Sequence, residues 1–192
     1  MENYGVKNRN KKSIERISNA MLEVLKEKEF DSISITEICS KAEVARKTFY
    51  RNFNNKEDVI KSSIDLKLSE FTSTGVLNKV IKPIEISESY IQFWYDRKDF
   101  LKLLFERNLF GILNYKYDIY MQDLRRLMKG DEEETPEIEY FLKFISGGFW
   151  NVLQTWVRKD FKESPKELAK LTAIYMERLQ GAIASNSSLF AY

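Results

Sequence analysis

Helix breakers are scarce: three prolines and seven glycines are spread over 192 residues, while apolar side chains recur at spacings of three and four. Folds made of many short strands need frequent turn formers, so this pattern predicts long helices. Hydrophobic residues make up 43 % of the chain, enough for packed cores. Ile14, Ile17, Met21, Leu22, Val24 and Leu25 predict a first helix over about 10–27, with Phe30 anchoring the chain after it.

Ser34-Ile35-Thr36-Glu37 has capping-box spacing. The serine hydroxyl can accept from the Glu37 amide, and the Glu37 carboxylate can reach back to the Ser34 amide. A short helix is expected from there to about Ala42, a tight turn at Glu43-Val44, and a second short helix over about 46–52. Asn55 caps a third start, and Ile60, Ile64, Leu68 and Phe71 carry that helix to a boundary at residues 72–75.

The second half is aromatic, with helices expected over 85–96, 98–107 and 109–128. An exposed acidic loop follows at 130–134. Thr135-Pro136 and Ser164-Pro165-Lys166-Glu167 then start two long helices, each with a cap and a proline in the first turn. Phe141, Ile145, Gly148, Val152 and Trp156 share a face of the first; Leu168, Leu171, Tyr175, Leu179 and Ala182 share a face of the second. The fold class is therefore all-α. An N-terminal three-helix domain is expected over 1–60, and a larger helical bundle over 61–192.

Composition restricts the chemistry. There is no histidine, which removes the commonest general base and metal ligand, and Cys39 is the only cysteine. No glycine-rich phosphate loop and no Glu-x-x-His pair is present, so neither enzyme chemistry, cofactor nor metal is expected. The basic N-terminal segment lacks the apolar core of a signal peptide, and no apolar run is long enough to span a membrane, which points to the cytoplasm. Residues 1–61 hold 13 Lys/Arg against 10 Asp/Glu, and the rest of the chain 18 against 19. The small basic excess lies where a nucleic-acid surface is expected.

Two short helices joined by a turn form a helix-turn-helix, whose second helix can enter the DNA major groove. Its motif spans about residues 34–53. Ile35, Ile38, Cys39, Ala42, Val44 and Phe49 provide apolar inner faces, with Phe53 beneath. Arg46, Lys47, Tyr50 and Arg51 then face outward. Arg46 or Lys47 can donate to guanine O6 and N7. Thr48, Tyr50 and Lys56 can donate to phosphate oxygens, and Ser34 and Thr36 lie at a helix start whose free amides favour phosphate.

The run from Val44 to Val59, with Tyr50, Phe53 and Lys56-Glu57 at characteristic intervals, resembles the signature of TetR/AcrR-family regulators. Ser34 and Ile35-Thr36-Glu37-Ile38-Cys39 fit the preceding helix of that family. The resemblance implies a homodimer that binds a palindromic double-stranded DNA operator and is released by a small-molecule effector. It implies base-proximal positions at Thr36, Arg46, Lys47 and Tyr50, and phosphate positions at Ser34, Thr48, Tyr50 and Lys56. Two residues depart from the pattern: Glu43 stands where the family usually has glycine, and Ala45 where it has a Ser or Thr cap. The C-terminal run Gly147–Val157 with Glu163–Leu168 is similar to the DhaS-like subgroup, which includes a dihydroxyacetone kinase regulator.

Gly147-Gly148 within a helix fits close helix approach at a dimer interface, against the alternative of a local kink, with Gly148, Val152, Trp156, Leu171, Tyr175 and Leu179 as candidate interface residues. Trp94, Tyr117 and Trp150 are candidate walls of an effector pocket, against the alternative that the aromatic stretch is core. Two other functions stay open at this level. One is an enzyme or carrier on a helical bundle; the other is an interaction module with a degenerate helix-turn-helix, motivated by Glu43 and Ala45.

Overall fold

The computed structural model describes residues 2–74, 83–129 and 136–174. These are helical throughout, with no strand among the described residues. In order they form α1 (Glu2–Glu27), a 3-10 turn (Phe30–Ser32), α2 (Ile35–Lys41), α3 (Arg46–Asn52), α4 (Lys56–Ser73), α5 (Pro83–Tyr95), α6 (Lys98–Glu106), α7 (Phe110–Lys129) and α8 (Pro136–Arg158). Residues 165–174 form a last described helix, α9. The acidic segment 130–134, Thr135, and the expected face residues Tyr175, Leu179 and Ala182 lie outside the described residues.

Within the described residues the expected elements are present, with one marked shift. α1 begins at Glu2 rather than near Asn10. Nothing in that stretch stops a helix except a single glycine, which costs only about 1 kcal/mol, and Glu2 suits a helix start. α5 begins at Pro83, in the first turn where proline is tolerated. Asn55 caps α4 by accepting from the Asp58 amide at 2.9 Å. The box before α9 is closed on both sides: Ser164 Oγ accepts from the Glu167 amide at 3.3 Å, and the Ser164 amide donates to Glu167 Oε2 at 2.9 Å.

Backbone contacts group the chain into two compact units, Met1–Glu70 with Asp99–Val152, and Phe71–Lys98 with Leu153–Tyr192. In the first, Ile17, Met21, Leu25, Ile38, Phe49, Ile60 and Ile64 have no solvent exposure, and α6 and α7 bury Leu101, Leu104 and Leu113. Its aromatic side chains close α7 on α8: Tyr117 stacks on Phe149 with centroids 5.3 Å apart, and Phe110 lies 4.5 Å from Trp150.

The second unit has its own aromatic interior. Phe71 meets Tyr90 and Phe93 edge-on at 5.1 and 5.3 Å. Trp94 is fully buried between the same two partners, Tyr90 and Phe93. Tyr95 stacks on Trp156 at 5.7 Å, and Phe161 meets Trp156 edge-on at 4.9 Å. Much of the aromatic stretch is thus core. Ring contacts of this geometry contribute about 0.5–1.5 kcal/mol beyond their buried area.

Candidate nucleic-acid interface

α3 has seven residues, too few to be stable by itself. It is held by what it buries. Phe49 has no solvent exposure and Phe53 is 6 % exposed, their rings 5.6 Å apart, beside buried Ile38, Cys39 and Ala42 from α2 and its end. Burying one such phenyl group contributes about 1.5–3 kcal/mol. Ile35 and Val44, expected on the apolar inner faces, are half-buried.

With Phe49 turned inward, Arg46, Lys47, Tyr50 and Arg51 are exposed. Arg46 and Tyr50 stand one turn apart, Arg46 Nη2 lying 3.5 Å from the Tyr50 hydroxyl and its guanidinium 5.9 Å from the ring centroid. The two therefore form one edge, with free donors directed outward. Ser34 and Thr36 are exposed at the start of α2, and Thr48 is half-buried. Ser34 Oγ accepts from the Glu37 amide at 3.1 Å, as its spacing predicts. The Glu37 carboxylate is held by the Lys28 ammonium at 2.6 Å, the main reason its acidity is increased.

The two departures in the turn are resolved differently. Glu43 has φ 50°, a left-handed conformation in a non-glycine residue. The Val44 amide donates to Cys39 O at 3.0 Å and the Glu43 amide to Ser40 O at 3.1 Å, the paired bonds of a Schellman ending for α2. Arg16 of α1 secures this turn from outside, its Nη2 donating to Glu43 O at 3.2 Å and to Glu43 Oε2 at 2.9 Å. Ala45 has cap geometry, φ −70° and ψ 148°, with no side-chain cap bond. α3 thus begins uncapped, and its packing supplies what the cap does not.

Lys56 occupies a different position from the other candidates. It is half-buried, and Nζ donates to the carbonyls of Phe30, Asp31 and Ile33 at 2.6, 3.0 and 3.2 Å. It also lies 4.6 Å from the Phe30 ring centroid. An ammonium has three donors, and here all three close the connection between α1 and α2. Sequence reasoning missed Arg16 and this use of Lys56 because their partners lie 27 and 23–26 residues away.

Burial pushes the Cys39 thiol up, although the Arg46 charge opposes the shift, so the neutral packing form is favoured. Of the expected interface residues, Gly148 and Leu171 are exposed and Val152 is half-buried. Trp156 departs from expectation. It is 1 % exposed, its Nε1 donates to Glu163 O at 2.8 Å, and Phe161 folds over it. The turn after α8 encloses this ring in its own unit, so it does not lie on an open face. The candidate pocket residue Trp94 belongs to one unit, and Tyr117 and Trp150 to the other.

Among the described residues, no helix is long and apolar enough to cross a membrane, and no cluster of three or more His, Cys, Asp or Glu is placed to hold a metal.

Comparison with known proteins agrees with this architecture. Residues 17–62 match the family described as bacterial regulatory proteins, tetR family. Residues 81–178, just over half of the chain, match its transcriptional regulator C-terminal region. Among solved structures, Lin0861 from Listeria innocua is similar with a TM-score of 0.66 and 18 % identity, covering 89 % of this chain and 92 % of that one. The fatty acid degradation regulator FadR from Bacillus halodurans is similar with a TM-score of 0.54 and 23 % identity, covering 82 % and 90 %. No curated protein is significantly similar in sequence. The chain belongs to the TetR family, and is a helical DNA-binding transcriptional regulator rather than an enzyme.

Proposed function

We propose that this regulator is a cytoplasmic repressor that binds a palindromic operator as a homodimer and is released by a small-molecule effector. Residues 1–60 read DNA, and residues 61–192 dimerise and bind the effector. The observation that carries this reading is the exposed Arg46-Lys47-Tyr50 edge on a helix fixed from behind by buried Phe49 and Phe53. Arg46 and Lys47 read base edges with Thr36 and Tyr50, while Ser34, Thr48 and Tyr50 contact phosphates. Lys56 serves the phosphate surface indirectly, by holding the connection that leads into α2.

Dimerisation is supported by apolar surface on α8. Tyr140 and Phe144 are 73 % and 65 % exposed, one turn apart, with Gly148 a further turn along, and Leu171 on α9 is 44 % exposed. A Cβ on Gly147 or Gly148 would meet no atom within 4 Å among the described residues, so packing among these does not require the glycines. Gly148, Val152, Leu171, Tyr175 and Leu179 are the proposed contacts. For the effector we propose a largely apolar molecule, with Tyr117 and Trp150 among its contacts.

Selection of operators from a random duplex pool, followed by titration at several salt concentrations, tests the proposal. The expected outcome is enrichment of an inverted repeat, bound by two chains, with affinity falling steeply as salt rises. Absence of DNA binding at low salt would eliminate it.

A further inference from the structure

Arg107 follows the last residue of α6 and joins that helix to the end of α1, more than 75 residues earlier in the sequence. Its Nε donates to Leu25 O at 2.9 Å, its Nη2 to Lys26 O at 3.0 Å, and its Nη1 to Glu29 Oε1 at 3.1 Å. Leu25 and Lys26 lie in the last turn of α1, where carbonyls have no partner within the helix. The guanidinium thus sits between two helix C-termini, each of which carries partial negative charge. Its base is fixed as well. The Leu109 amide donates to Leu104 O at 2.8 Å and the Asn108 amide to Phe105 O at 3.2 Å, with Asn108 at φ 56°. This is a Schellman ending with a residue type that tolerates the left-handed conformation.

Two other ties, Lys116 to Asp65 at 2.7 Å and Lys67 over the Phe100 ring at 4.4 Å, join α4 to α7 and α6. Arg107 acts on α1, the helix against which α2 and α3 pack. Fixing the end of α1 therefore fixes the direction in which α3 points. We propose that Arg107 is the positioning residue that sets the aim of the reading helix, and through it the operator half-site spacing that the regulator accepts. The proposal rests on the dimeric DNA-reading function above.

The test uses full-length protein and the selected operator with its central spacer changed by one and two base pairs. Each added base pair moves a half-site by about 3.4 Å and about a tenth of a turn. Wild type should lose about tenfold or more in affinity per step, and Arg107→Ala should lose less than about threefold while keeping the same base preference within each half-site. Glu29→Gln keeps both carbonyl bonds and should behave as wild type. Arg107→Lys, which retains charge but cannot span both carbonyls and the carboxylate, should fall between, and serves if the alanine variant does not fold. Spacing penalties for the Arg107 variants equal to wild type would overturn the role of Arg107. A wild type that binds no operator would instead overturn the dimeric reader itself.

Discussion

The Arg16 guanidinium reaches across from α1 and holds both the carboxylate and the main-chain carbonyl of Glu43, at 2.9 and 3.2 Å, in the turn that leads to the reading helix. A left-handed conformation costs a non-glycine residue about 1–2 kcal/mol, and an exposed ion pair returns only about 0.2–1 kcal/mol. The pair is therefore better understood as fixing geometry than as adding stability.

Glycine at position 43 removes that strain but also loses the pair and adds freedom to the unfolded chain. Glu43→Gly should leave stability within about 1 kcal/mol of wild type. Glu43→Val keeps the backbone demand, adds a β-branch and loses the pair, and should cost roughly 1–2 kcal/mol, or several degrees in the thermal midpoint. Equal melting of the two variants would show that φ at this position is not what constrains the turn.

Lys56 provides a sharp contrast with the exposed cations. Because its ammonium donates to three main-chain carbonyls, Lys56→Met should destabilise the protein by about 1.5–3 kcal/mol. Its effect on the salt dependence of DNA binding should be negligible. A slope reduced by about one unit, with unchanged thermal stability, would instead make Lys56 a direct phosphate contact.

Arg46 and Lys47 lie on the outer face of α3 and should act on base preference. Arg46→Ala and Lys47→Ala should each cost about 1–3 kcal/mol on the selected operator and relax preference at one position per half-site. Uniform weakening across all sequences, measured by binding to a panel of single-base operator variants, would assign them to phosphate instead.

Asp118 on α7 supplies a pH test. Burial pushes its carboxyl up, but the Lys143 ammonium at 2.8 Å and the Ser146 hydroxyl outweigh that, and the net position is below the ordinary 3.8. A group lowered on folding contributes stability that is present above its unfolded pKa and lost as pH falls through the folded one. Wild type should therefore lose this contribution below about pH 3.8. In Lys143→Gln burial dominates and the sign reverses, so the variant's deficit should grow as pH rises through the raised pKa. Chemical denaturation of both proteins across acid pH measures the difference, and parallel pH profiles would discount the pair.

The sequence determined what acts over three or four residues. Ser34 and Ser164 cap their helices through glutamates three positions on, Asn55 caps through Asp58, and apolar spacing placed Ile38, Cys39, Phe49 and Phe53 inside. Such bonds are local because a helix brings those positions together before any tertiary contact forms. The outward Arg46-Lys47-Tyr50 edge was legible for the same reason. Tertiary structure alone decided what holds the motif. Glu43 is secured by Arg16, Lys56 closes on carbonyls near Phe30, Arg107 caps α1 from α6, and Trp156 is enclosed by the turn after α8. Long polar side chains choose among many carbonyls and carboxylates, and the selection is made by which helix ends the folded core brings within about 3 Å.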